Sequence, residues 1–139
     1  MSYVADVLAP HELLLWAWRL VAWACVAYLL ILGVLVFARP AVVHRFFGGL
    51  ATSQRVNFLE AALRLIVGLA FMAVSTETKL PAVFFWFGAA LALTAIPMMF
   101  LHRLHKSQAV WVIPLTRRIL PLMGIVAIAV GALLAWAMS

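Results

Sequence analysis

The sequence predicts an all-α integral membrane protein, with four transmembrane helices arranged as two hairpins of the same orientation in one small bundle. Three observations carry that expectation. Of 139 residues, 68% are apolar and 10% are charged, against about 45–50% and about 25% in soluble domains. Mean hydropathy is +1.17. Four segments reach the roughly 20 apolar residues that a helix needs to cross a hydrocarbon core of about 30 Å. Each of these must be helical, because an open strand in lipid leaves its backbone hydrogen bonds unmade.

The first span is expected over about 13–38, with one charge at Arg19. Pro10 suits a first helical turn and Glu12 complements the helix dipole there. A cleaved signal peptide would need basic residues ahead of a short apolar core. Asp6 and Glu12 precede this one, and the run is too long. The second span covers about 56–75 and holds Asn57, Glu60 and Arg64. The third, about 80–101, carries no charge, and the fourth covers about 119–138. All 139 residues then form a single four-span domain with long connections at 39–55 and 102–118.

Net charge is +6 and the pI is near 10.8. In a soluble protein that excess would suggest nucleic acid, but no basic-aromatic nucleic-acid module is visible, so no nucleic-acid partner is expected. The basic residues instead follow bilayer orientation. Arg39, Arg45 and Arg55 lie in the first connection, and Arg103, Lys106, Arg117 and Arg118 in the third, while the second holds Lys79 alone. Seven against one places the first and third connections in the cytoplasm and both termini outside. A bacterial inner membrane is the expected setting. Trp16, Trp18, Trp86 and Trp136 then fall near the outer interface and Trp111 near the inner one, where amphipathic rings prefer to lie; Trp23 sits deeper. Two hairpins of one orientation form a coarse parallel repeat, with Gly68 and Gly131 at comparable places in the second helix of each half.

Charged residues within a span are costly, face the protein interior and often mark function. Asn57, Glu60, Arg64 and Gly68 follow i, i+3, i+7 and i+11 and so share one face. Glu60 could titrate as a proton, ion or ligand carrier. The stronger expectation is a structural ion pair, because a close cation favours ionised Glu60 and opposes proton cycling. Arg19 is expected to snorkel beside Trp16 and Trp23, or to pair with Glu12 or Glu77. The fourth span carries Gly124, Ala127, Gly131 and Ala135 at spacings of three and four, a seam that lets another helix approach closely. Gly88 and Ala92 of the third span are its expected complement, and Ile128 is expected to face lipid.

His102 and His105 form an H-x-x-H, and His44 lies in the other basic connection. They are weaker candidates for metal or haem, since recognisable sites bring more ligands and fewer cationic neighbours. No metal and no cofactor is expected. Arg39, Arg45, Arg103, Lys106, Arg117 and Arg118 are expected at anionic lipid headgroups. Cys25, the one cysteine, lies inside an apolar run and leaves no intrachain disulfide. Gly48-Gly49 lacks the spacing of a phosphate-binding loop, and no Ser-His-Asp set or paired carboxylates appear.

The expected function is therefore non-catalytic: an accessory or assembly subunit of a larger membrane complex, contacting other membrane subunits or further copies of itself. The alternatives are an oligomeric small transporter or channel using the Asn57/Glu60/Arg64 face, and a quinone-, lipid- or haem-binding component. No motif carries a resemblance to a known family.

Overall fold

A computed structural model of the chain describes residues 9–49, 53–101, 103, 107, 110–111, 114–115 and 117–139. Among them there is no strand. The helices are α1 (Pro10–Ala38), α2 (Pro40–Gly49), α3 (Gln54–Val74), α4 (Pro81–Phe100) and α5 (Leu120–Met138), with a 3-10 turn over Ser75–Glu77. Four are long and apolar enough to cross a membrane: α1, α3 with its 3-10 turn, α4 and α5.

Local chemistry sets the ends. Pro10, Pro81 and Pro121 occupy the first turns of α1, α4 and α5, where a missing N–H costs nothing. At α3 the Ser53 hydroxyl accepts from the Val56 amide at 3.2 Å, an ordinary N-cap. Helix α1 begins three residues ahead of position 13 because Ala9 O accepts from Glu12 N and Leu13 N, at 2.9 and 3.1 Å. It stops at Arg39, whose φ of −144° reflects the bar on helical geometry before Pro40. The chain then re-enters a helix at once. Part of the expected first connection is thus the helix α2.

Lipid tails are as apolar as leucine, so helices in a membrane are held by close packing and hydrogen bonds rather than by water exclusion. One cluster meets that need with side chains from all four long helices. Ala22 and Val26 of α1, Phe71 and Val74 of α3, Phe84 of α4, and Leu134 and Ala137 of α5 are all buried together. Phe71 stands edge-on to Phe84 at 5.4 Å, a favoured aromatic geometry. A smaller cluster of Val36, Val43 and Leu120 joins α1, α2 and α5.

The pairing differs from two sequential hairpins. The most extensive contacts join α3 to α4 and α1 to α5, followed by α1 with α3. The second expected hairpin, α4 with α5, is absent from these extensive contacts. Instead, the second span of each half packs on the first span of the other. The reason is the placement of glycine. A Cβ on Gly68 would stand 2.6 Å from Gly88 O and 2.8 Å from Ala92 N, so Gly88 and Ala92 complement Gly68 and not the fourth-span seam. That seam packs on α1 instead: Gly124 meets Val36 and Phe37, and Gly131 meets Leu29 and Leu30. Gly124, Ala127 and Gly131 are buried and Ala135 half-buried. Ile128, expected to face lipid, packs over Gly33, because its i+4 relation to Gly124 puts it on the same face.

Candidate functional site

The polar groups of the spans divide into three sets. At one end, Arg19 Nε donates to Glu77 Oε2 at 2.7 Å, and the guanidinium lies 4.7 Å from the centre of a Trp16 ring. Lys79 N donates to Ala137 O at 2.9 Å, and its ammonium sits 4.8 Å from a Trp136 ring centre. These contacts hold the start of α1, the turn after α3 and the end of α5 together at one end of the molecule. Of the partners expected for Arg19, Glu77 takes the ion pair.

The second set is Asn57. It is 1% exposed, and its Nδ2 donates to Met98 O at 2.6 Å. Met98 lies in the last turn of α4, where carbonyls lose their helical partners. Asn57 therefore caps one of these carbonyls across the α3–α4 joint. Its Oδ1 is buried with no hydrogen-bond partner among the described residues.

Glu60 and Arg64 form the third set. Arg64 donates to Glu60 Oε1 at 2.9 Å, with side chains 41% and 15% exposed respectively. The helix orders them as acid before base at i, i+4, the favourable direction. Glu60 lies on the same line of α3 as Val67, Phe71 and Val74, at i+7, i+11 and i+14. Those residues belong to or pack on the shared core. Asn57 and Gly68 lie on the neighbouring line facing α4. Phe71 on the Glu60 line also meets α4, through Phe84 and Phe87. Tyr28 of α1 meets Phe46 of α2, with ring centres 6.4 Å apart. Sequence reasoning passed over Tyr28, although a phenol midway along an otherwise apolar span was a legible signal.

Arg39, Arg45, Arg103, Arg117 and Arg118 are exposed and His44 is half-buried. His102, His105 and Lys106 lie outside the described residues. Among the described residues no three His, Cys, Asp or Glu side chains gather where they could hold a metal ion.

No protein-family model, no curated protein and no solved structure matches this chain. The class defined by the fold is that of a membrane-embedded protein with several apolar helices.

Proposed function

We propose that this protein is a small non-catalytic multi-pass membrane protein that serves as an accessory or assembly subunit of a larger membrane complex. The observation that carries the reading is the fate of the polar groups in the spans. Arg19 is paired with Glu77 and Arg64 with Glu60, while Asn57 caps a helix end. Arg19 and Asn57 join separate elements and Arg64 closes on Glu60 within α3, whereas a mobile ion or proton carrier would need a group whose partner can leave. The outer surface favours the same reading: no more than 33% of the most apolar stretch of any span is buried inside the chain. Large apolar faces remain for lipid and for neighbouring subunits. In this reading the positive-inside bias sets the basic connections in the cytoplasm and both termini outside, in a bacterial inner membrane, with anionic lipids at the basic side chains.

The test is purification from native membranes through a C-terminal tag in a mild detergent, followed by native mass spectrometry and a visible spectrum. The expected result is a complex of fixed stoichiometry with a larger membrane protein, and no haem band. A lone homo-oligomer that conducts ions or drugs in liposomes would overturn the reading in favour of transport.

A further inference from the structure

Helix α2 does not continue away from α1; it doubles back along it. Tyr28 and Phe46 bring their rings to 6.4 Å, although Tyr28 precedes the Arg39 elbow by about 16 Å of helix at 1.5 Å per residue. Between the two helices lies a groove of about 210 Å³, walled by Tyr28, Leu32 and Leu35 on α1 and by Val42, Val43 and Phe46 on α2. That volume falls below the roughly 300–1,000 Å³ of sites that enclose drug-sized organic ligands, so a haem is too large. The apolar walls and open side of the groove suit a length of hydrocarbon chain that lies partly in the groove and partly in the surrounding lipid. The walls meet at Arg39, and Arg45 precedes Phe46 on α2; both side chains are exposed. Helix α2 contains no carboxylate to neutralise them. A guanidinium binds phosphate oxygens in bidentate fashion.

We infer that this groove holds part of one acyl chain of an anionic phospholipid, with the phosphate bound by Arg39 at the elbow and by Arg45 reaching from α2. The inference rests on the reading of this end as the cytoplasmic side of a membrane. An inner-leaflet lipid has the required layout, with its phosphate at the basic end and its chain directed toward the bilayer centre where Tyr28 lies. Net anionic headgroups are favoured over zwitterionic ones because two cations with no local acid add to the attraction.

The experiment is native mass spectrometry of the full chain, delipidated in detergent and titrated with phosphatidylglycerol or with phosphatidylcholine of the same chains. One phosphatidylglycerol should be retained in preference. Arg39→Gln and Arg45→Gln should each weaken retention about fivefold, the worth of one basic side chain near an anionic surface. Val42→Trp, which fills the groove, should abolish it, and Arg117→Gln/Arg118→Gln should leave it unchanged. Equal retention of phosphatidylcholine, or retention undiminished in Val42→Trp, would overturn the proposal. Should Val42→Trp fail to fold, phosphatidylglycerol with a photoreactive chain decides on the native protein. Crosslinks to 28–35 and 42–46 support the site, and crosslinks confined to other segments overturn it. Carbonate extraction and a reporter fused at Gly49 separate the two levels of failure. A released chain, or Gly49 outside, removes the membrane reading itself; an inserted chain of the expected topology that ignores lipid charge removes only the lipid site.

Discussion

The two principal helix joints are built differently, although both depend on glycine. Where α3 crosses α4, backbone meets backbone: a Cβ on Gly88 would stand 2.5 Å from Gly68 O, and a Cβ on Gly68 would stand 2.6 Å from Gly88 O. Where α1 crosses α5, the glycines of α5 meet side chains. Gly131 faces the Leu30 branch atoms at 2.9 and 3.0 Å, and Gly124 faces Val36 and Phe37. Peptide groups cannot turn aside without moving a whole helix, whereas a leucine tip can rotate. The first joint is therefore rigid and specific, and it also carries the polar clamp from Asn57 to Met98. The second joint is adaptable at its Gly131 end, whereas at Gly33 it too is close to backbone, where an added Cβ would stand 2.9 Å from Gly124 O and 3.1 Å from Ile128 N. Close approach and hydrogen bonding are the forces available in lipid, and this molecule concentrates both in α3.

The largest expected effect breaks the rigid joint. Gly68→Ala forces its methyl group against Gly88 O and Ala92 N, and overpacking of this kind costs about 3 kcal/mol, the upper part of its usual range. Equilibrium unfolding in mixed micelles, read by circular dichroism, measures it. Wild-type stability for Gly68→Ala would mean that the two helices are not in backbone contact. Next in size is Asn57→Ala. It strips Met98 O of its donor, for which a buried unsatisfied group costs about 1–3 kcal/mol. It also removes the unpartnered Asn57 Oδ1, which partly offsets that cost, so about 1.5 kcal/mol is the expected net loss. The same unfolding assay reads it, and a gain in stability would show that the clamp does not form.

A third change tests the margin between the joints. Glu60→Gln and Arg64→Met should each destabilise by leaving one charge without its partner, and the double change should recover much of the loss. The double-mutant cycle should give a favourable coupling of about 1 kcal/mol, above the few tenths of an exposed i, i+4 pair because the Glu60 side chain is only 15% exposed. Zero coupling, with folding intact and a measurable transport activity lost in Glu60→Gln, would assign Glu60 to the carrier role instead.

How much of this was legible beforehand follows from what each signal encodes. Hydropathy and length report whether a segment suits the bilayer, so the four long helices could be drawn from sequence to within a few residues. Glu60 with Arg64 was readable because both lie on one helix four residues apart, and a spacing within a helix is fixed by its pitch. Contacts between helices carry no such ruler. Gly88 and Ala92 could have served Gly124 and Gly131 as well as Gly68, since small-residue stripes are interchangeable until the helices are placed. Helical pitch sets Asn57 on one face with Glu60, but its acceptor, Met98 O of α4, is given only by the placement of the helices. The return of α2 was hidden for a different reason: Pro40 was a visible start signal, but only tertiary contact brings Phe46 back to Tyr28.

The smallest expected effect belongs to the adaptable joint, and it is the sharpest test of the contrast. Gly131→Ala places a methyl group 2.9 Å from Leu30 Cδ2, 3.0 Å from its Cγ and 3.4 Å from Leu29 Cβ. The last distance is an ordinary contact, and the first two are relieved if the Leu30 side chain changes rotamer toward the lipid side. That shift costs of order 0.5–1.5 kcal/mol when it leaves a staggered well and less when it finds another. Against it stands the gain from replacing glycine by alanine within a helix, about 1 kcal/mol in water. The two nearly cancel, so Gly131→Ala should lie within about 0.5 kcal/mol of the wild type in the assay that gives Gly68→Ala its large loss. Gly131→Leu should not, because its branch cannot share the space with Leu30, whereas Ile125→Leu on an exposed face of α5 should be silent. Equal losses for Gly131→Ala and Gly68→Ala would mean that the Leu30 contact is as unyielding as the backbone contact at Gly68, and the distinction between backbone and side-chain contact would explain nothing about this fold.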